Sequence, residues 1–322
     1  MDAGYYLDSF LAPLAPILAR DDVTDIYINR PGELWVESLA GKTTRIAIEE
    51  LQDALLGRLA RQIAASTAQG ISREQPLLAA TLPDGSRIQI VAPPATRAGY
   101  AFAIRKHISR KLTLDDWVGA DAFECLQAGK RSLNEQREYV TLSPTEAPQY
   151  LRDAVRKRRN LLISGGTSSG KTTFLNALLG EVGEAERLIV IEDTEELHFR
   201  QQNAVGLLVA RSELSEANVT AEDLLIAALR MRPDRIILGE LRGKEAFTFL
   251  RAVNTGHPGS MTTIHADSPT RAIDQLALLV LQSGSKIAWE DLHKYIRASI
   301  DVFVHLERQA GRRMVAQIMV KN

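Results

Sequence analysis

The sequence contains a single cysteine, Cys125. One thiol excludes an internal disulfide and any zinc module built on several cysteines, which fits a protein kept in a reducing compartment. No apolar run reaches the roughly 18 residues that a membrane-spanning helix requires. The first residues lack a positively charged stretch, so we expect no signal peptide. These absences predict a soluble, cytoplasmic protein.

Neither sign of charge is in clear excess. The 322 residues include 39 Lys and Arg against 40 Asp and Glu, and the formal net charge is −1. Such a balance provides no global basic field, so we expect no sequence-specific binding to nucleic acid. With 45% hydrophobic and 25% charged residues, the composition is that of a globular protein. The length predicts two domains, each large enough to bury its own core.

One stretch carries the clearest chemical signal. The apolar run 161–163 predicts a buried strand, and the apolar run 174–179 predicts a helix. Between them lies the G-x-x-x-x-G-K-T pattern of a P-loop, in the strand-loop-helix order that this motif requires. The nucleotide-binding residues that it predicts are Gly165, Gly166, Thr167, Ser168, Ser169, Gly170, Lys171, Thr172 and Thr173.

Each type of residue in the P-loop has a physical role. Gly165 and Gly170 allow a tight turn in which consecutive N–H groups converge on an anion. The helix that opens at Lys171 adds its unpaired N–H groups and the positive end of its dipole. Lys171 is expected to neutralise the β- and γ-phosphates, and the Thr172 hydroxyl to ligate Mg²⁺. The sequence therefore predicts binding of a nucleoside triphosphate with Mg²⁺.

Two further apolar runs end in acidic residues. Residues 187–191 lead into Glu192 and Asp193, and residues 235–239 lead into Glu240. In an open parallel sheet the carboxyl ends of the strands form the ligand-binding edge. Glu192 and Asp193 are therefore predicted to act on the metal or on water, and Glu240 to orient or deprotonate the attacking water. The second run ends in glycine where such strands often carry an aspartate.

Two histidines flank the apolar segment 261–264. Their spacing matches no zinc pattern and no cysteine partner is present, so metal ligation is not expected. An isolated histidine is more often structural than catalytic. His265, which follows the strand at its carboxyl end, is predicted to sense the γ-phosphate, whereas His257 precedes the strand.

The order of the patterns predicts two domains of different class. In residues 1–112, predicted hairpins and helices indicate a small α+β domain. Residues 113–144 show a weak pattern and are interpreted as a partly helical linker. From 145 to 322, strands and helices alternate, which predicts an α/β domain with a parallel sheet. Its last two strands, around Gly311, are expected to form a hairpin at a sheet edge.

Four motifs stand in one order, and together they resemble the Walker A, Asp box, Walker B and His box of the secretion ATPases: residues 165–172, 191–196, 230–242 and 256–265. More narrowly, nearly the whole chain resembles the traffic ATPase of type IV secretion and conjugation systems. The pilus and type II secretion ATPases remain the nearest alternative. They commonly have a proline where this chain has Thr194, and type II members often carry a four-cysteine zinc module.

The resemblance implies a RecA-like P-loop motor domain and a homo-hexameric ring. It places the ring at the cytoplasmic face of the inner membrane, in peripheral association with that membrane and with inner-membrane components of a secretion system. The nucleotide would lie between the two domains of a protomer. Composition alone indicates surface positions for Arg87 and Arg105. The resemblance instead implies that both act as arginine fingers on the γ-phosphate.

Ser168 departs from the family pattern, because relatives often have a glycine there; we expect no loss of nucleotide binding.

The motifs leave three functions open. The first is a hexameric ATPase that powers secretion or pilus assembly through domain motion. The second is a nucleotide-gated assembly scaffold. The third is a P-loop kinase or DNA translocase, which the sequence disfavours because it shows no arginine-rich lid segment and has a near-neutral charge.

Overall fold

The computed structural model describes residues 7, 9–38, 41–67, 69–106, 112–126, 139–209, 219–309 and 311–321. The chain divides into two compact units. The first contains the described residues up to 106, and the second contains those from 112 onward. Each unit has its own sheet and its own buried core.

The first unit is built on an antiparallel sheet with the strand order β3-β2-β1-β6-β5-β4. Alternate residues of the central strands point inward and pack against a helix with an apolar stripe, so that one layer of helix covers the sheet. The elements are α1 (Ala15–Leu18), β1 (Val23–Ile28), β2 (Glu33–Ser38), β3 (Thr43–Ala47), α2 (Asp53–Ser66), β4 (Leu77–Thr81), β5 (Arg87–Val91) and β6 (Ala101–Arg105).

The strands of the second unit form a mixed sheet with the order β10-β9-β11-β12-β8-β13-β14-β7. From β10 to β13 neighbouring strands are parallel, and β14 and β7 are antiparallel additions. The strands are β7 (Tyr139–Thr141), β8 (Leu161–Gly165), β9 (Leu188–Glu192), β10 (Ala204–Leu208), β11 (Arg235–Leu241), β12 (Met261–Ile264), β13 (Val302–Gln309) and β14 (Arg312–Lys321). Every residue of β8, β9 and β12 is buried, as expected for parallel strands covered on both faces.

Helices cover both faces of this second sheet and enclose two hydrophobic clusters. They are α3 (Leu114–Gly119), α4 (Ala147–Arg156), α5 (Lys171–Leu179), α6 (Ala221–Arg230), α7 (Glu245–Asn254), α8 (Pro269–Gln282) and α9 (Trp289–Ser299). One cluster includes α3, α4 and α5, and the other includes α6 to α9. Within the described ranges, no helix is both long enough and apolar enough to cross a bilayer. The layered α/β architecture predicted from the alternating pattern is confirmed.

The described part of the predicted linker, 113–144, is folded into the second unit. Thr113 and Asp116 form a capping box that begins α3, and Trp117 and Phe123 are buried in the adjoining core. Strand β7 pairs with β14, so the hairpin around Gly311 is formed but β7 lies outside it at the sheet edge. These short elements follow no sustained period, which is why the sequence pattern did not assign them. Residues 127–138 lie outside the described residues.

Candidate nucleotide-binding site

Four neighbouring strands of the second sheet end at one edge, in the order β9-β11-β12-β8. Because these strands are parallel, the residues at their carboxyl ends are brought together. Glu192 ends β9, Glu240 lies at the end of β11, His265 follows β12, and the P-loop follows β8. The structure therefore gathers at one edge the candidates that the sequence placed on this unit.

The P-loop turns tightly between β8 and α5, and two of its glycines are required by their surroundings. A methyl group built on Gly165 would lie 2.6 Å from the carbonyl oxygen of Leu306 on the neighbouring strand, which is closer than such atoms pack. Gly170 precedes α5 with φ at 97°, in the left-handed region that favours glycine. The loop therefore delivers the chain to the first turn of α5, whose N–H groups are suited to bind an anion.

Ser168 is the position at which this P-loop departs from the family pattern. Its φ is 60°, in the left-handed region. A residue with a side chain pays roughly 1 kcal/mol to adopt this conformation, whereas glycine does not. The backbone therefore explains why a glycine is suited to this position.

The Lys171 side chain is almost fully buried in the loop that it belongs to. Its Nζ donates hydrogen bonds to the carbonyl oxygens of Gly165, at 2.9 Å, and Gly166, at 3.2 Å. The same nitrogen lies 3.7 Å from Oε1 of Glu240 and 3.4 Å from Nδ1 of His265. The P-loop ammonium, the acid of β11 and the histidine of β12 thus form one compact cluster.

Glu240 is the centre of this cluster. Its Oε1 lies 3.0 Å from Nε2 of His265, and its Oε2 accepts a hydrogen bond from Nε of Arg242. Arg242 in turn donates from Nη1 to Oδ2 of Asp193 at 2.6 Å. A chain of charge-assisted contacts therefore runs from Asp193 through Arg242 and Glu240 to the P-loop lysine.

A β-bulge directs Glu240 to this edge. Leu238 pairs with Thr262 and Leu241 pairs with Ile264, so two residues of β11 occupy the space opposite one residue of β12. Such an insertion bends the strand and re-aims a side chain. A Cβ built on Gly239 would lie 3.3 Å from Cβ of Glu192. An aspartate there would press on Glu192, which accounts for the glycine that the sequence shows.

Glu192 is buried, with 6% of its surface exposed. Its Oε2 accepts backbone hydrogen bonds from Glu196 at 2.8 Å and Leu197 at 2.9 Å, which fastens the loop after β9. Burial raises the pKa of this carboxyl to about 7, despite the opposing effect of the two N–H donors. Glu192 is therefore poised between the neutral and the charged form near neutral pH.

The structure places Thr172 in the first turn of α5 and Asp193 directly after β9. Among the described side chains, no group of three His, Cys, Asp or Glu residues could hold a metal by itself. Mg²⁺ in nucleotide sites is usually bound through one or two protein oxygens together with phosphates and water. The hydroxyl of Thr172 and the carboxylates of Glu192 and Asp193 are oxygen ligands of the kind that Mg²⁺ prefers. Their assignment to the metal stays a prediction.

Arg87 and Arg105 belong to the first unit. They lie directly opposite each other in the register of β5 and β6, and Arg105 also pairs with Asp25 of β1. The Nε of Arg105 lies 3.7 Å from Oδ1 of Asp25. Two arginines are thus presented side by side at one end of adjacent strands. Their predicted contact with the γ-phosphate stays a prediction.

Sequence reasoning assigned no role to three residues near the site. Arg242 stood within the Walker B motif, so its position was visible but its contacts were not. His305, with 3% of its surface exposed, lies opposite Ser164 in the register of β13 and β8, and its Nδ1 is 3.0 Å from Oγ of Ser164. Burial lowers the pKa of His305. Arg313 reaches the P-loop from β14, and no local sequence signal connects the two segments.

An open cleft of about 660 Å³ adjoins the P-loop in the second unit. It is lined by Gly166 and His265 at one end, and by Leu278 of α8 and Trp289 of α9 at the other. The cluster around Lys171 and Glu240 therefore lies beside accessible space, as a nucleotide site requires.

The chain matches the family described as Type II/IV secretion system protein over residues 9–319. It belongs to that family. This type II/IV secretion system protein is 38% identical to the type IV secretion system protein PtlH of Bordetella pertussis, covering 98% of the chain and 95% of the relative. The chain is also similar to the crystal structure of the VirB11 ATPase from the Brucella suis type IV secretion system in complex with sulphate. The two sequences are 34% identical, the match covers 97% of this chain and 96% of the VirB11 chain, and the TM-score is 0.49.

The fold of this family member is also found in the ATPase DotB of Legionella pneumophila. The two sequences are 18% identical, the match covers 98% of this chain and 80% of the DotB chain, and the TM-score is 0.61. The similarity confirms the predicted RecA-like α/β fold. The relatives named above also confirm the resemblance to the type IV secretion ATPases.

Proposed function

We propose that this secretion system protein hydrolyses ATP with Mg²⁺ to power type IV secretion or conjugative transfer. One observation carries the proposal: Oε1 of Glu240 lies 3.7 Å from the P-loop ammonium of Lys171 and 3.0 Å from Nε2 of His265. An acid, a phosphate-binding cation and a histidine therefore meet where the γ-phosphate of a P-loop nucleotide belongs.

The P-loop residues 165–173 hold the phosphates through the N–H groups of the loop and of the first turn of α5. Lys171, now bonded to carbonyl oxygens of its own loop, exchanges these contacts for β- and γ-phosphate oxygens. Mg²⁺, when bound with the nucleotide, would be held by Thr172 with Glu192 or Asp193 and would neutralise charge on the β- and γ-phosphates. Electrostatic stabilisation of this kind supplies most of the catalysis of phosphoryl transfer.

Glu240 orients the attacking water and accepts its proton. Arg242 and His265 hold the carboxylate between them, so its position is fixed before the nucleotide arrives. His265 contacts Glu240 through one ring nitrogen and approaches Lys171 with the other, at 3.4 Å. A change in the position of Lys171 on phosphate binding is therefore transmitted to His265, which gives the histidine its sensing role.

The remaining roles concern the two arginines of the first unit and the assembled ring. Arg87 and Arg105 act as arginine fingers that couple the first unit to the γ-phosphate. Six copies form a ring at the cytoplasmic face of the inner membrane, in contact with membrane components of the secretion system. The adjacent register of the two arginines supports this role, because a paired guanidinium edge suits a multiply charged phosphate.

Replacement of Glu240 by glutamine tests the proposal. Glutamine keeps the size of the side chain but cannot accept a proton, so ATP binding should persist while phosphate release falls by roughly a hundredfold or more. Glu184, which is exposed, provides the matched control: Glu184→Gln should retain both binding and turnover. Normal turnover in Glu240→Gln would overturn the assignment. ATP binding without turnover in the wild type would instead favour the assembly scaffold.

A further inference from the structure

Arg313 of β14 covers the turn that leads into the P-loop helix. A methyl group built on Gly170 would lie 2.8 Å from Cδ of Arg313 and 3.4 Å from the ring of Trp117. The guanidinium Nη1 donates to the hydroxyl oxygen of Thr173 at 3.3 Å. Thr173 lies in the first turn of α5, where backbone N–H groups have no partner within the helix.

The sheet order places Arg313 on the side of the P-loop opposite Glu240 and His265. Strands β12 and β11 lie on one side of β8, and β13 and β14 lie on the other. The Nζ of Lys171 points toward the first side, since beyond its own loop it lies near His265 and Glu240. That side therefore receives the γ-phosphate, and Arg313 reaches the loop from the opposite side.

We propose that Arg313 binds the α-phosphate of the nucleotide together with Thr173. The inference rests on the proposed ATPase function. A P-loop receives the α- and β-phosphates on its N–H groups while its lysine reaches the β- and γ-phosphates, so the flank away from the Lys171 cluster belongs to the α-phosphate. Arginine is suited to this role because its planar guanidinium matches the geometry of phosphate oxygens.

The contact with Thr173 prepares that hydroxyl as a second donor. A hydroxyl whose oxygen accepts a hydrogen bond from a guanidinium keeps its own hydrogen to donate. Trp117 also contacts α5, because its ring packs edge-on against the ring of Phe174, with centroids 4.9 Å apart. Arg313 and Trp117 both lie against the turn at Gly170, and Trp117 also packs on α5.

The affinities of ADP and ATP, measured by isothermal titration calorimetry, test this role. The variant Arg313→Gln should bind both nucleotides about tenfold more weakly than the wild type, as expected for loss of one charge-assisted contact. The factor should be equal for ADP and ATP, because both carry the α-phosphate. Arg312→Gln is the control: it removes the same charge from the adjacent position, where the arginine instead donates to the carbonyl of Ala120. Its affinities should match the wild type.

Arg313→Lys and the unliganded melting temperature separate binding from packing. Lysine keeps the charge but not the planar fork, so its affinities should fall between those of the wild type and Arg313→Gln. Unchanged affinity in both Arg313 variants, or a loss confined to ATP, would overturn the α-phosphate contact. A lower melting temperature with unchanged affinities would also overturn it. Absence of nucleotide binding in the wild type would instead refute the proposed ATPase function itself.

Discussion

Arg242 offers a test of how Glu240, the proposed general base, is positioned. Its guanidinium bridges Glu240 and Asp193, with Nη1 2.6 Å from Oδ2 of Asp193. The side chain is 42% exposed, so water screens both contacts. Exposed ion pairs contribute about 0.2–1 kcal/mol, and hydrogen bonds to charged groups contribute about 1.5–3 kcal/mol. An intermediate value of about 1.4 kcal/mol corresponds to roughly a tenfold change in rate.

We therefore expect Arg242→Gln to lower kcat for ATP hydrolysis about tenfold, because the loss of about 1.4 kcal/mol of stabilisation corresponds to that factor. KM should change little, since Arg242 contacts the two carboxylates and not the P-loop. Steady-state phosphate release over a range of ATP concentrations separates the two constants. Arg156→Gln, at the end of α4, breaks a partly exposed ion pair with Glu181 and should leave both constants unchanged. A raised KM with an unchanged kcat would refute the positioning role and indicate contact with the nucleotide.

Two further changes test local features of the site. Ser168→Gly should raise the free energy of unfolding by about 0.5–1 kcal/mol, because glycine adopts the positive φ at lower cost; an unchanged denaturant midpoint would contradict this. For Glu192, burial raises the pKa from 4.5 to about 7, so the folded chain holds this proton where the unfolded chain releases it. The wild type should therefore lose stability relative to Glu192→Gln as pH rises from about 5 to about 7. Denaturant unfolding at both pH values checks this, and parallel pH profiles would contradict the buried, proton-binding state.

The sequence was sufficient for the parts of the fold that short apolar runs and special residues define. Strand β8 and the helix at Lys171 followed from the flanks of the P-loop, and the edge position of Glu240 and His265 followed from parallel-strand geometry. These features are local, because each depends on a few consecutive residues. Placing them side by side required only the rule that parallel strands share a carboxyl edge.

The remaining features depend on contacts between distant segments. Arg313 and Thr173 are 140 residues apart, and no pattern within either segment indicates their contact. Strand β7 is short, and its position depends on pairing with the edge of β14. The bulge at Glu240 arises from a mismatch between two strands, which neither strand reveals alone. Sequence periodicity describes one element at a time and therefore misses such pairings.

We propose that the edge formed by β8, β9, β11 and β12 hydrolyses ATP. The most direct measurement is steady-state phosphate release from ATP with Mg²⁺ as the protein concentration is raised. We predict Mg²⁺-dependent release whose specific activity rises steeply with concentration, because the proposed ring would bring the proposed arginine fingers to the P-loop. No release at any concentration would contradict the claim, and a specific activity independent of concentration would contradict the role given to the ring.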